Sequence, residues 1–192
     1  MNLRIWRLSR VFIISLSHCR GMAGRTGSTE PIFAVENRPF PHLSATSLDG
    51  TAVTLPDDLR GSLAFIVVAF PRWVQPVQET WTGPFEKAFA GNPRVKAYMV
   101  VAVAGRLEAS LADRVDEALR GVLPPERHGR VLTYAGDLDE YAGQLGLDDI
   151  SLAYLYLVDG EGVIRWAEKG AATPEGFDRL LEIARTILAE YR

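Results

Sequence analysis

Residues 63–70 read LAFIVVAF, an unbroken apolar run with the length of a single β-strand. Such a run is typical of a strand that is buried on both faces, as in the middle of a parallel sheet. A second apolar run, VKAYMVVAVA at residues 95–104, follows after a segment with helical spacing. Two buried strands joined by a helix imply a right-handed crossover and a largely parallel core. The sequence therefore predicts an α/β fold built around these two strands.

The segments on either side of this pair extend the pattern. Upstream, residues 37–41 predict an extended entry, because each proline there biases its predecessor away from helix. Residues 43–55 then predict a β-hairpin that turns at Leu48-Asp49-Gly50. Between the two apolar runs, residues 75–90 predict a helix with a kink at Gly83-Pro84. Downstream we expect a charged helix at 107–121, a short strand at 131–134, a helix at 138–145, strands at 152–158 and 163–168 in an antiparallel hairpin, and an amphipathic helix at 174–191 capped by Thr173.

The resulting order is hairpin, β, α, β, α, β, α, β, β, α. This order resembles the thioredoxin arrangement with an added N-terminal hairpin, as in peroxiredoxin-like proteins. The predicted fold class is therefore α/β, a thioredoxin-like three-layer sandwich with an N-terminal β-hairpin and a terminal antiparallel hairpin plus helix. Residues 31–192 are expected to form this domain.

The redox site of such a fold lies directly after the first buried strand, where a helix N-terminus lowers the pKa of a cysteine. Here that stretch is FPRWVQP, residues 70–76, and it contains no cysteine. The proline that usually precedes the hairpin strand is also replaced, by Ser151-Leu152-Ala153-Tyr154. We therefore expect a redox-inactive protein and no enzyme. A thiol enzyme remains the alternative only through Cys19, the one cysteine of the chain.

Other catalytic patterns are weak. The three histidines are scattered, so no metal-ligand spacing occurs, and no glycine-rich phosphate loop is present. Asp57-Asp58 and Asp148-Asp149 are more typical of turns and helix starts than of acid–base pairs. Glu126-Arg127-His128 fits either a solvated salt bridge or an acid–base cluster, and the salt bridge is favoured. No catalytic residue, cofactor or metal is predicted.

The N-terminal segment differs from the rest in charge. Residues 1–29 contain five arginines and no acidic residue, and Glu30 marks the predicted end of a basic leader, residues 1–30. The composition fits an organellar presequence. An extension that precedes the true start of translation, a disordered extension and an export signal remain alternatives. Residues 30–192 hold all 24 acidic residues and only 16 of the 21 basic ones. This balance gives no reason to expect nucleic-acid binding, which needs a concentrated basic surface.

Several short motifs along the body suggest a family. These are Phe40-Pro41, Leu48-Asp49-Gly50 with Val53 and Leu55, Trp81-x-x-Pro84-Phe85, Glu126-Arg127-His128, Leu145-Gly146-Leu147, Tyr154-x-Tyr156-Leu157-Val158-Asp159, and Ile164-Arg165-Trp166 followed by Gly170. Together they resemble the mitochondrial ATP synthase assembly factor of the ATPase-subunit-10 type. The most specific piece is the Tyr-x-Tyr-Leu-Val-Asp segment with the following Ile-Arg-Trp.

The resemblance implies a chaperone without enzymatic activity. Its client would be the newly made proton-channel subunit, a membrane protein, at the mitochondrial inner membrane or matrix, with peripheral membrane association. The excess of arginine over lysine suggests a GC-rich genome, so a bacterial cytoplasmic relative is the alternative location. The alternative function is a redox-inactive peroxiredoxin-like module that binds an unknown ligand.

The partner-binding candidates are surface cations and aromatic residues near the altered redox position and in the family motifs. They are Arg72, Trp73, Trp81, Arg127, His128, Arg165 and Trp166. An aromatic–arginine pair such as Trp73 with Arg72 is a common interface anchor, although Trp73 also fits packing beneath its loop. For Trp81 a core position is favoured, because Trp81, Pro84 and Phe85 share one helix face. For Trp166, packing at the sheet edge is favoured, which leaves Arg165 for the surface.

Overall fold

A seven-stranded mixed sheet forms the centre of the computed structural model, which describes residues 35–103, 109–136 and 139–191. The strands are β1 Leu43–Ser47, β2 Ala52–Leu55, β3 Leu63–Ala69, β4 Val95–Ala102, β5 Val131–Tyr134, β6 Tyr154–Val158 and β7 Ile164–Lys169. Their order across the sheet is β2-β1-β5-β4-β3-β6-β7. Strands β3, β4 and β5 are parallel, and the two hairpins flank them with antiparallel pairs. The predicted leader, residues 1–30, lies outside the described residues.

The helices alternate with the strands in the order that the sequence predicts. They are α1 Val74–Val77, α2 Gly83–Ala88, α3 Ala109–Val122, α4 Asp139–Leu145 and α5 Pro174–Glu190. Short 3₁₀ turns at Pro71–Trp73 and Pro125–Arg130 precede α1 and β5. Among the described residues, none of these helices combines the length and the apolar character needed to cross a membrane.

Strand β3 separates two apolar cores, because its side chains alternate between the faces of the sheet. Leu63, Phe65 and Val67 pack into one core together with α1, α2 and α5. Ala64 and Ile66 pack into the other, which the N-terminal segment and α4 cover. All seven side chains of β3 are buried. The three-layer α/β sandwich expected from LAFIVVAF is confirmed.

The helix predicted over residues 75–90 is less regular than a single kink implies. Residues Gln78–Thr82 form a π-helical segment between α1 and α2. The N–H of Gly83 donates to the carbonyl oxygen of Gln78, five residues earlier. A Cβ atom at position 83 would lie 2.8 Å from that oxygen, so the wide turn requires glycine there. The next residue, Pro84, has no N–H to continue an α-helical ladder, which explains why the irregularity falls here.

Helix α5 begins where the sequence predicts. The Thr173 side chain accepts a hydrogen bond of 3.0 Å from the N–H of Gly176, and Pro174 occupies the first turn. We expect Thr173→Ala to lower the free energy of unfolding by about 1 kcal/mol, because that N–H loses its acceptor. Urea denaturation measures the loss, with Thr173→Ser as the control that keeps a hydroxyl. Equal stability of the alanine and serine variants would contradict the prediction.

Candidate functional site

The carboxyl end of β3 is the position at which the sequence analysis expected chemistry. The 3₁₀ turn Pro71–Trp73 follows β3 there and leads into α1. Strand β6 runs antiparallel to β3, so its first residue, Tyr154, lies at the same edge of the sheet opposite Val68. Lys169, at the end of β7, pairs with Tyr154. We call this region the β3 edge.

Arg72 is exposed and is held in place by the loop before β6. Its Nη2 atom donates a hydrogen bond of 3.0 Å to the carbonyl oxygen of Ile150. The Ile150 side chain is 64% exposed. The β3 edge therefore presents a guanidinium group and an aliphatic side chain next to one another.

Trp73 is half-buried and packs against both apolar cores. Its indole Nε1 is buried and has no hydrogen-bond acceptor among the described residues. The packing alternative therefore accounts for much of the ring. An indole N–H that is buried without a partner carries a desolvation cost.

Tyr154 organises the loop between α4 and β6, and sequence reasoning did not single it out for this role. Its hydroxyl accepts hydrogen bonds from the N–H groups of Asp148 at 3.0 Å and Asp149 at 2.5 Å. The same hydroxyl donates to the Asp148 carboxylate at 2.7 Å. Burial, followed by the hydrogen bond to Asp148, raises the pKa of Tyr154 to about 12. Tyr154 thus stays neutral and fixes the loop that carries Ile150.

The two aspartates of this loop are held by separate partners. The Asp148 carboxylate contacts Lys169 Nζ at 2.6 Å, and the hydrogen bonds from Lys169 and Tyr154 lower its pKa. The Asp149 carboxylate accepts from the N–H of Ser151 at 2.7 Å. The hydrogen bond from the Ser151 side chain, followed by that from its N–H, lowers the pKa of Asp149. Both carboxylates are therefore kept ionised and engaged in loop contacts, an arrangement that fits the turn interpretation rather than an acid–base pair.

A cleft with a volume of about 1080 Å³ opens beside Arg72, between the segment 71–80 and the end of α3 with the residues that follow it. Its lining includes the buried side chains of Val74 and Leu119. Val122 lies on its rim and is 75% exposed. Val122 and Ile150 are the large hydrophobic residues that are exposed in the described part of the chain. Arg72 contacts the carbonyl oxygen of Ile150 and lines the same cleft as Val122.

Two of the predicted partner-binding candidates, Trp81 and Trp166, are core residues. Their candidacy as partner-binding residues is therefore wrong, and the packed positions favoured for both are confirmed. Trp81 is 0% exposed and donates a hydrogen bond of 3.1 Å from Nε1 to the carbonyl oxygen of Gly170. Trp166 is 1% exposed and stacks on Trp81 with ring centroids 5.7 Å apart. The alternation of β7 turns Trp166 inwards, beneath α5, so neither indole is available to a partner.

The remaining candidates lie away from the β3 edge or are already paired. Arg127 forms an ion pair with Glu86 and a hydrogen bond with Gln78, which fastens the turn before β5 to the irregular helix. His128 contacts the carbonyl oxygen of Leu123 through Nε2 at 3.1 Å. These contacts are structural, and they favour the salt-bridge interpretation of Glu126-Arg127-His128 over an acid–base cluster.

Arg165 is partly exposed, but its guanidinium stabilises the hairpin turn between β6 and β7. Its Nε donates to the buried carboxylate of Asp159 at 2.5 Å. Asp159 also accepts from the N–H groups of Glu161 and Val163, both at 2.9 Å. Among the predicted residues, the β3 edge therefore brings together Arg72 and Trp73, while Arg127, His128 and Arg165 lie elsewhere.

The side chains at the β3 edge are suited to contact with a partner. The segment 70–76 offers a guanidinium, an indole, one amide side chain and two prolines, and it contains no thiol or hydroxyl group. In the described ranges, no group of three His, Cys, Asp or Glu side chains could hold a metal ion.

Solved structures with the same fold define the class to which this protein belongs. The thioredoxin domain of a thiol-disulfide oxidoreductase from Bacteroides vulgatus is 14% identical, with a TM-score of 0.55, and 78% of this chain aligns with 97% of that chain. The exposed lipoprotein thioredoxin Etrx1 from Streptococcus pneumoniae is 15% identical, with a TM-score of 0.53, over 74% and 98% of the two chains. BsSco, a member of the Sco family of cytochrome c oxidase assembly proteins, is 15% identical, with a TM-score of 0.57, over 82% and 98%. The chain thus has a thioredoxin-like fold.

Within this class the family can be assigned. The family model for ATP10 protein matches residues 31–187, which is most of the chain. The chain belongs to the ATP10 family, and the resemblance found in the sequence motifs is confirmed. A search of the curated proteins gave no match.

Proposed function

We propose that this protein is a non-catalytic assembly factor for ATP synthase that works as a chaperone. The observation that carries the proposal is the family match over residues 31–187, in a chain that has no cysteine at the redox position. The client proposed from the resemblance is the proton-channel subunit of ATP synthase, a membrane protein. The proposed location is the mitochondrial inner membrane or matrix, with peripheral attachment to the membrane.

The β3 edge is the proposed contact region for the client. It carries an exposed arginine, an exposed isoleucine and a half-buried tryptophan whose N–H lacks an acceptor in the described part of the chain. Arginine and tryptophan are the residue types that most often dominate the binding energy of an interface. The position that holds a reactive thiol in redox-active relatives of the fold therefore offers a contact surface in this chain.

The test is recovery of the client by affinity-tagged protein. We expect Arg72→Ala combined with Trp73→Ala to reduce recovery of the ATP synthase proton-channel subunit at least tenfold. The reason is that this variant removes both the cation and the aromatic anchor. Arg185→Ala is the matched control, because Arg185 is an exposed arginine of α5, away from the β3 edge. Mass spectrometry of the recovered material measures the ratio.

A second variant separates binding from folding. Because Trp73 packs against both cores, its loss also costs stability. Arg72→Glu keeps this packing and reverses the charge, so it is expected to reduce recovery while the thermal unfolding temperature stays close to that of the unaltered protein. Full recovery of the client by both variants would show that the β3 edge is not the contact region.

Catalytic turnover provides the contrast with the enzymatic alternative. We expect no reduction of peroxide or of insulin disulfides by the purified protein, and we expect Cys19→Ser to leave client recovery unchanged. Turnover that disappears in Cys19→Ser would instead favour a thiol enzyme. The cleft beside Arg72 is the feature that favours the ligand-binding alternative, and a metabolite that raises the unfolding temperature without any recovered client would support that alternative.

A further inference from the structure

We propose that the cleft between segment 71–80 and the end of α3 binds an amphipathic α-helix of the partner protein. This helix would carry a carboxylate facing Arg72 and a basic side chain facing Glu79. The inference rests on the proposed function for the identity of the partner, but the cleft itself defines the kind of segment that fits. We call this cleft the α1–α3 cleft.

The lining of the α1–α3 cleft is suited to an apolar surface. Val74 and Leu119, which are 3% and 6% exposed, contribute the buried part of its lining. Val122, 75% exposed, extends the apolar surface to the rim, and Leu123 is half-buried beside it. Because Val74 and Leu119 are already buried, the aliphatic surface that a partner would remove from water belongs to Val122 and Leu123. Burying such surface yields roughly 25 cal/mol for each Å², which favours an apolar partner face at this rim.

The walls of the cleft favour a helix over an extended segment. They consist of the irregular helix, the end of α3 and the residues after it, and no β-strand contributes to the lining. Three wall residues, Pro71, Pro76 and Pro124, have no backbone N–H to donate. An extended segment would bury its own N–H and C=O groups here without a strand edge to pair with, and each such group costs free energy. A helix satisfies these groups internally.

The charges along one wall define the polarity of the bound helix. Arg72 donates to the Ile150 carbonyl oxygen and interacts electrostatically with Asp149, but no carboxylate of the described residues lies at ion-pair distance from it. Glu79 accepts a hydrogen bond from Gln75 at 3.0 Å and has no ion pair within the described ranges. Arg127 also lines the cleft, but Glu86 already neutralises it. The wall is thus positive at Arg72 and negative at Glu79.

The spacing of these two charges matches a helix that lies along the wall. Arg72 and Glu79 are seven positions apart along a 3₁₀ turn, α1 and the start of the π-helical segment, which corresponds to about 10 Å at roughly 1.5 Å per residue. A partner helix that runs alongside presents side chains at the same spacing when its acid and base are about seven positions apart. Such a segment has apolar residues at i, i+3, i+4 and i+7 on the face toward Val74 and Leu119.

Site-specific photocrosslinking tests this inference on the full chain. In a Cys19→Ser background, Val122→Cys carries a benzophenone maleimide, and Arg185→Cys carries the same label as the matched control. Both proteins are irradiated with detergent-solubilised ATP synthase membranes, and the crosslinked peptides are sequenced by mass spectrometry. We expect at least tenfold more crosslinked ATP synthase subunit from position 122 than from position 185. The crosslinked segment is expected to show the helical apolar spacing with an acidic residue.

Charge reversal then tests the polarity. Arg72→Glu is expected to lower the crosslinking yield from position 122 at least fivefold, and Glu79→Lys is expected to lower it by a smaller factor. Restored yield when Arg72→Glu and Glu79→Lys are combined supports a helix that binds in the reversed direction. An unchanged yield in both single variants overturns the polarity and, with it, the proposed helix.

The outcomes separate this inference from the proposed function. If tagged protein recovers the proton-channel subunit but position 122 crosslinks no better than position 185, the α1–α3 cleft is not the binding site and only the inference fails. If position 122 crosslinks a helix with the stated pattern from a protein outside ATP synthase, the inference stands and the proposed function fails. Crosslinks to an extended or polar segment overturn the inference, as does the absence of any crosslink.

Discussion

Replacing Trp81 with alanine is expected to lower the free energy of unfolding by about 3–5 kcal/mol, the largest stability effect that we predict for a single side chain. The indole is fully buried, and it packs between Trp166 of β7 and Phe177 of α5, with ring centroids 5.7 Å and 6.1 Å away. Its N–H also satisfies the carbonyl oxygen of Gly170. Alanine leaves a cavity in this core and removes the donor. A loss of this size is a large part of the 5–15 kcal/mol that stabilises a typical domain.

Chemical denaturation followed by circular dichroism measures the loss, and Trp81→Phe is the matched control. Phenylalanine keeps an aromatic ring between Trp166 and Phe177 but cannot donate to Gly170, so we expect a smaller loss of about 1–3 kcal/mol. A Trp81→Ala protein within 1 kcal/mol of the unaltered protein would contradict the packing described here. Client recovery by Trp81→Ala has to be compared at equal concentrations of folded protein, since unfolding alone lowers recovery.

The burial of Trp81 is shared by most of the residues in the family motifs. Trp81 and Phe85 of the Trp-x-x-Pro-Phe motif are buried, as are Tyr154, Tyr156 and Trp166 of the most specific piece. Motifs that identify the family in this chain are therefore largely requirements of its core. Arg72 and Ile150, which form the exposed part of the β3 edge, belong to none of them. Assignment to a family and location of a binding surface are separate problems in this protein.

The fold was predictable because its strongest signals are local and periodic. LAFIVVAF has no polar residue, and in the structure its side chains divide evenly between two cores. The start of α5 at Thr173-Pro174 was predictable because the cap is local: the Thr173 side chain accepts from the N–H of Gly176, three residues later, and Pro174 suits the first turn. The π-helical segment was harder to predict, since Gly83-Pro84 indicates an irregularity but not its type. The type depends on which carbonyl the N–H of Gly83 reaches, and that choice is made by packing.

The candidate site was only partly predictable, because its contacts join distant positions. Nothing local indicates that Arg127 pairs with Glu86, 41 residues away, or that Arg72 reaches the Ile150 carbonyl, 78 residues away. Tyr154 carries a nearer signal, since Asp148 and Asp149 precede it by six and five residues. The contacts form only because the intervening loop folds back onto the first residue of β6. The sequence pattern of a strand does not predict that folding back.

Side-chain hydrogen bonds hold the loop that precedes β6. Ala153 stands directly before β6, where the sequence analysis expects a proline in a redox-active protein of this fold. In this chain the Tyr154 hydroxyl holds the preceding loop through the N–H groups of Asp148 and Asp149. Lys169 holds the same loop from β7 through the Asp148 carboxylate. Side-chain hydrogen bonds therefore fix the loop that carries Ile150 and, through its carbonyl oxygen, Arg72.

Replacing Tyr154 with phenylalanine is accordingly expected to cost about 1–3 kcal/mol of stability at neutral pH, because two partly buried hydrogen bonds from the N–H groups of Asp148 and Asp149 lose their acceptor. The variant is also expected to change the alkaline limb of the stability curve. The pKa of Tyr154 is raised to about 12 in the folded protein, above the usual tyrosine value of about 10. The unfolded chain therefore loses the hydroxyl proton at a lower pH than the folded protein does. The stabilisation that the protonated Tyr154 provides is complete below about pH 10 and is lost as the pH rises from about 10 through about 12.

A pKa shift of this size corresponds to about 2–3 kcal/mol of stability. Between pH 8 and pH 11, the free energy of unfolding measured by chemical denaturation should therefore fall more in the unaltered protein than in Tyr154→Phe. Tyr156→Phe is the comparison, because burial raises the pKa of Tyr156 as well, but its hydroxyl donates only to the Leu145 carbonyl oxygen. Both variants should flatten the alkaline limb, whereas Tyr154→Phe alone should weaken client recovery, since it releases the loop that positions Arg72. If Tyr154→Phe keeps full stability at pH 8 and full client recovery, the hydroxyl does not organise the β3 edge.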